Sequence, residues 1–192
     1  LTEDYVPENL QTVDKKYSSK TLQLVDYAKD AFEELSEAAS KENYTVLAMS
    51  SYRSYQYQYN LYNRYVSTDG VEAADTYSAR PGYSEHQTGL AVNVAATYET
   101  SVAFSETETY KWMVENCTSY GFIQRYANEK SSITGVKDEL EHFRYVGKDL
   151  AKKITESHLT YDEYYMLYLA DWDEKSCIPS KKILKNIPDY VQ

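Results

Sequence analysis

Cysteine, proline, glycine and phenylalanine are all scarce in this chain of 192 residues, at two, four, six and four copies. Cys117 and Cys177 are too few for a disulfide framework and are not spaced as a metal knuckle. Two free thiols are the expectation, with a single disulfide as the alternative. No long Gly-, Pro- or Ser-rich break divides the chain, and its length suits one hydrophobic core. The sequence therefore reads as one domain over residues 1–170, followed by a polar tail, residues 171–192, that packs on the domain or frays.

Positive charge is also short. Twenty Lys and Arg stand against 30 Asp and Glu, a net charge of −10. A phosphate backbone needs a basic face, so no nucleic-acid partner is expected. No run approaches the roughly 18 apolar residues of a spanning helix, and the first residues lack the charged and apolar regions of a signal peptide. The chain opens at Leu1 rather than Met. Any membrane contact is expected only through an anchor outside these residues. Tyrosine is abundant at 22 copies, which fits a biased composition better than a set of ligand platforms.

What is present is patterned. Leu22, Leu24, Val25, Ala28, Ala31, Phe32, Leu35 and Ala38 recur near the 3.6-residue period and predict an amphipathic helix over 20–41. The apolar run from Tyr44 to Met49 predicts a buried strand that delivers Ser51-Tyr52-Arg53 at its end, with a helix following over 55–66. Asp69-Gly70 and Arg80-Pro81-Gly82 are turn signals. Leu90–Ala96 reads as a strand with Ala91, Asn93 and Ala95 on one face and Val92 and Val94 on the other. A helix over 107–120 stops at Gly121. Strands follow over 122–126 and 142–146, then helices from Lys148 and over 160–170. Helices and short strands mix without a regular βαβ repeat. The fold class expected is α+β, a central antiparallel sheet flanked by helices.

Three segments carry residues suited to chemistry. The first is Ser51-Tyr52-Arg53-Ser54, with Gln58 a few residues on. The second is Ser84-Glu85-His86-Gln87-Thr88-Gly89-Leu90-Ala91-Val92-Asn93. The third is Glu139-Leu140-Glu141-His142. His86 and His142 are two of only three histidines, and both sit beside turns and strands rather than on an apolar helical stripe. His158 has no such setting and reads as surface. A lone histidine is usually structural, but zinc accepts imidazole nitrogen and carboxylate oxygen while a hydrolytic site keeps one position open. Glu139, three residues before His142, is placed to serve as a general base beside a metal.

These segments resemble the VanY-type zinc D,D-carboxypeptidases, relatives of lysostaphin and hedgehog, whose pattern is S-x-H-x-x-G-x-A-x-D followed by E-x-x-H. Asp4-Tyr5-Val6-Pro7, residues 120–126 and residues 142–147 look like the same family. The resemblance implies a hedgehog/D,D-peptidase-like fold and a zinc site formed by His86, Asn93 and His142, with Glu139 as base. Arg53 would steady the substrate carbonyl or its oxyanion, and Gln58 and Ser84 would help hold the peptide's terminal groups. It implies a monomeric, extracellular or cell-wall-associated bacterial protein acting on D-Ala-D-Ala termini of peptidoglycan stem peptides.

Two departures fall near the metal. Asn93 stands where the family has Asp, and Leu140-Glu141 where it usually has Pro-Trp. A neutral amide oxygen binds zinc more weakly than a carboxylate, so weak or absent zinc and reduced activity are expected. The alternative is an inactive relative that binds wall peptides; a further one is an Asn introduced to trap substrate. Rescue of the missing charge by Glu141 or Glu85 is not expected; Glu141 adjoins His142, and adjacent side chains on a strand point to opposite faces.

Overall fold

The computed structural model describes residues 1–170 apart from 19, 100, 101 and 128. The expected tail and Cys177 lie outside the described residues. The chain begins with a short antiparallel pair, β1 (Leu10–Thr12) and β2 (Gln23–Val25), in which Leu10 faces Val25. Helix α1 (Asp26–Lys41) follows directly. It is shorter than its sequence pattern predicts, because Leu22, Leu24 and Val25, which fit the helical stripe, lie before its first turn. Asp26 in the first turn and Lys41 in the last suit the helix dipole.

Strand β3 (Leu47–Ser50) begins three residues later than the apolar run, and α2 (Tyr55–Asp69) extends three residues beyond its expected end. The Ser54 hydroxyl caps α2 by accepting from the Tyr57 amide at 3.1 Å. A single turn, α3 (Val71–Ala74), lies between the two turn signals at Asp69-Gly70 and Arg80-Pro81-Gly82. After a 3₁₀ turn at Glu85–Thr88 comes β4 (Ala91–Ala95). The helix expected over 107–120 divides into α4 (Glu108–Asn116) and a 3₁₀ turn at Cys117–Tyr120. Then come β5 (Phe122–Tyr126), the turn α5 (Ser131–Thr134), β6 (Glu139–Tyr145), α6 (Lys148–Ser157) and α7 (Tyr161–Tyr164), which runs into a π-helical turn at Tyr165–Leu169.

β3, β4, β6 and β5 form one antiparallel sheet in that order. The alternation read from the sequence holds on β4. Val92 and Val94 join Phe122, Phe143, Met113 and Trp112 in the core, against Ala28, Phe32 and Leu35 of α1. The Phe32 and Phe122 rings meet edge to face at 6.4 Å. The opposite face carries Asn93 of β4 opposite His142 of β6. A smaller cluster of Ile123, Ala151 and Ile154 seats α6 against β5. No helix of the described residues is long and apolar enough to cross a membrane.

Strand β6 starts three residues earlier than its sequence suggests, and its pairing explains why. Gln124 faces Phe143, but Tyr126 faces Glu139, so the register slips between them. A bulge of this kind breaks strict alternation and re-aims side chains. The Gln124 side-chain amide donates to the Leu140 carbonyl at 2.9 Å, satisfying backbone that the slip removes from the ladder.

Gly89 ends the 3₁₀ turn in the left-handed region at φ +69°. A Cβ there would meet Val25 at 2.9 Å and Leu10 at 3.1 Å, so the glycine is what lets the turn lie on the β1–β2 pair. Gly89→Ala is expected to destabilise the fold by about 2 kcal/mol through strain and overpacking; an unchanged denaturant midpoint would contradict this. Cys117 is a free, buried thiol whose pKa burial pushes up to about 12. It should therefore resist alkylation at pH 8 in the folded protein and react rapidly in urea, read by peptide mass spectrometry.

Candidate active site

The 3₁₀ turn that carries His86 is fixed from both ends. The Ser84 hydroxyl accepts from the His86 amide at 3.3 Å, and Gly89 returns its amide to the His86 carbonyl at 3.2 Å. That carbonyl also accepts from the Arg53 amide at 3.1 Å, which ties the first motif to the second. The imidazole then meets the Ser51 carbonyl, which lies 2.8 Å from Nδ1. A carbonyl only accepts, so Nδ1 carries the proton and Nε2 presents its lone pair to the cleft. Burial, with His142 and Arg53 nearby, holds the His86 pKa well below its usual value. The ring is a neutral donor.

His142 is held the other way round. Its Nε2 lies 3.2 Å from Oε2 of Glu85, and its Nδ1 lies 3.4 Å from Oε2 of Glu139, beyond a good hydrogen bond. The two imidazoles stand edge to face with centroids 5.0 Å apart. Burial opposes a charged His142, but Glu139 and Glu85 outweigh it and raise the pKa. Any metal bound at Nδ1 competes with that proton. Glu85 itself stays ionised. Burial works against its charge, yet His142, Arg125 and Arg144 lower its pKa to about 2.

Arg53 lies between these groups and the next strand. Its Nε and Nη2 donate to the Ser50 hydroxyl at 3.0 and 2.8 Å, and Ser50 faces Asn93 across the β3–β4 pair. Gln58 is buried at 2% exposure, and its amide donates to the Ala79 carbonyl at 2.7 Å. Its oxygen stands 3.5 Å from Arg53 Nη1. Gln58 thus braces the segment at 78–79 against α2.

Arg53, Gln58, Ser84, His86, Asn93, Glu139 and His142 all line one cavity of about 220 Å³. Every sequence-predicted site residue is brought to it. Glu141 lines it too, against the simple alternation expected for a strand, because the β6 bulge intervenes. His158 lies apart and exposed at the end of α6. Sequence reasoning missed the part of Glu85 as the partner of His142, and of Arg125 as the partner of Glu85 at 2.8 Å. Only the adjacency of Glu85 to His86 hinted at the first; nothing local marks the second.

Whether these residues suit a metal can be judged from their unpaired atoms. Among the described residues five buried side-chain atoms have no hydrogen-bond partner, Ser36 Oγ, Gln87 Oε1, Trp112 Nε1, Asn93 Oδ1 and His142 Nδ1, and only the last two belong to residues lining this cavity. Such orphans are costly in a folded core and are usual where a ligand completes the site. With His86 Nε2 they make two nitrogens and one oxygen, the donor types and number of a hydrolytic zinc site. The set is short of one negative charge. Among the described residues no three His, Cys, Asp or Glu group as ligands, so the third donor is reached only through Asn93.

The family profile described as VanY: D-alanyl-D-alanine carboxypeptidase matches residues 21–148. YodJ of Bacillus subtilis (strain 168), a protein placed by name among the carboxypeptidases, is 39% identical over 172 residues, 86% of this chain. This chain spans only 63% of YodJ's length. The structure of the LdcB LD-carboxypeptidase superposes with a TM-score of 0.80 at 38% identity, covering 86% of this chain and 80% of that one. A mutant of the vancomycin-resistance D,D-pentapeptidase VanY from the VanB-type cassette, in complex with Zn(II), superposes at 0.73 with 32% identity, covering 85% and 92%. The fold, the three motifs and these likenesses agree: the chain belongs to the VanY D-alanyl-D-alanine carboxypeptidase family.

Proposed function

We propose that this chain is a zinc-dependent carboxypeptidase-like protein of the bacterial cell wall, acting on D-alanine-terminated stem peptides of peptidoglycan with activity reduced by Asn93. The observation that carries the reading is the meeting of His86, Asn93 and His142 around two unpartnered buried atoms, with Glu139 beside them. The zinc-bound relative and the family's name support the metal and the substrate class. The likeness to an LD-carboxypeptidase keeps the residue before the terminal D-alanine open to either configuration.

Zinc held by His86 Nε2, Asn93 Oδ1 and His142 Nδ1 would supply Lewis acidity toward the attacking water and the scissile carbonyl. The rest falls to the chain's own residues. Glu139, partly exposed at the cleft, would take a proton from the water and return it to the leaving amine. Arg53 is half-buried and clamped on Ser50. It would direct its remaining donors at the substrate carbonyl or terminal carboxylate. Ser84 and Gln58 would shape the wall that receives the peptide end.

Asn93 also favours a second reading, in which the cleft binds wall peptides without efficient cleavage. A neutral third ligand leaves more positive charge uncompensated and lowers metal occupancy. Asn93→Asp is expected to raise zinc affinity by roughly tenfold or more, since replacing a direct ligand should matter at least as much as the roughly 10–100-fold typical of outer-shell changes. Competition with a chromophoric chelator measures this, and equal affinities would refute the reading of Asn93 as a weak ligand.

The same substitution is expected to raise hydrolysis of pentapeptides ending in D-Ala-D-Ala, or of tetrapeptides ending in a single D-Ala, followed by released D-alanine. Adding Glu139→Ala to it should abolish turnover while zinc stays bound. Bound zinc with no gain in turnover would favour the binding protein over the disabled enzyme.

A further inference from the structure

Helix α7 lies beyond the segment matched by the family profile, yet two of its side chains reach the surroundings of His142. Arg125, at 8% exposure, is the junction. Its Nη1 and Nη2 donate to the two carboxylate oxygens of Asp162 at 2.7 and 3.0 Å. Its Nε donates to Oε1 of Glu85 at 2.8 Å, which leaves Oε2 of the same carboxylate for His142 Nε2 at 3.2 Å. A second, stacked route runs beside the ionic one. The guanidinium lies 5.3 Å from the Tyr161 ring centroid and 4.7 Å from that of Tyr126, whose ring packs 4.9 Å from the His142 ring.

The start of α7 is itself fixed. Thr160 and Glu163 form a reciprocal capping box, with the Thr160 amide donating to Glu163 at 2.8 Å and the Glu163 amide to the Thr160 hydroxyl at 3.1 Å. Asp162 sits between them on backbone that the box anchors, and its carboxylate is held by the two bonds from Arg125.

We infer that Asp162 is a positioning residue for His142: it holds the Arg125 fork so that Glu85 offers one oxygen to the imidazole and keeps Nδ1 aimed into the cleft. Arginine forms two parallel bonds to one carboxylate and can still donate through Nε. Without Asp162, two of those donors lose their partner, and the guanidinium is free to take both oxygens of Glu85. His142 Nε2 then loses its acceptor. Outer-shell partners of this kind fix the rotation of a ligating imidazole.

The inference rests on the zinc reading proposed above for what His142 does, but the placement of the ring can be tested without metal. In the metal-free protein the His142 Nε2–H, buried and bonded to Glu85, should give an observable imidazole N–H resonance. Asp162→Ala and Asp162→Asn are expected to broaden or remove it. Ile154→Val, which loosens the cluster on which Tyr161 and Tyr164 of α7 pack but leaves the Asp162 carboxylate in the protein, should lower the thermal midpoint and leave the resonance in place. In a zinc titration of the intact chain, the Asp162 variants should also bind zinc several-fold more weakly, and Ile154→Val should not.

An Nε2–H signal that persists unchanged in folded Asp162 variants would overturn the inference. So would loss of the signal in Ile154→Val to the same degree, since general loosening would then explain it. If no variant or parent binds zinc while the resonance still depends on Asp162, the positioning role stands and the zinc reading fails.

Discussion

The pairing of β4 with β6 is the constraint on which the site depends. Asn93 faces His142 in that ladder, so a residue from the second motif and one from the third are neighbours by backbone geometry before any side-chain contact is considered. The sheet's other face holds Val92, Val94 and Phe143 in the core, which fixes the register. A slip of one residue would turn both Asn93 and His142 into the core and Val92 and Phe143 out into the cleft. The hydrophobic core thereby specifies the chemistry on the face it does not touch.

On that frame the β6 bulge adds what alternation would forbid. Residues three apart on a regular strand point to opposite faces, yet Glu139 lies 3.4 Å from the His142 ring. The slip opposite Gln124 and Tyr126 re-aims the start of the strand and brings Glu139 to the cleft. Gln124 repairs the ladder from its own side chain. The E-x-x-H spacing therefore works here on a bulged strand.

Much of this was legible. The α+β class, the strand of Asn93 and the seven candidate residues followed from periodicity and from motifs that resemble a known family, and all seven side chains line one cavity. What stayed hidden depends on pairing across long sequence separations. The β1–β2 pair looked like the start of a helix because Leu22, Leu24 and Val25 fit its stripe, while the partner strand at Leu10–Thr12 carries little apolar pattern of its own. Glu85 could not be read as the partner of His142, nor Arg125 as the partner of Glu85, because each contact joins residues tens of positions apart. Adjacent acids on a strand also misled: Glu141 reaches the cavity only because the bulge shifts it.

Asn93 then raises the question of where the missing charge could come from. Glu85 is the nearest acid in sequence to His86, but its oxygens already face Arg125 and His142, with Arg144 at 3.5 Å. Withdrawing it to serve a metal would leave Arg125 short of a buried partner, and breaking a buried ion pair costs about 3–5 kcal/mol. It would also free His142 Nε2 and undo the ring's orientation. Glu139 stands at the cleft beside Nδ1, and as a ligand it would cease to be a base. Glu141 lines both this cavity and the neighbouring groove with Glu99 and Asp138, and among the described residues no three His, Cys, Asp or Glu group as ligands. On the proposed reading Glu85 and Glu139 thus have tasks of their own, and the charge absent from Asn93 is not expected to be restored by withdrawing either of them.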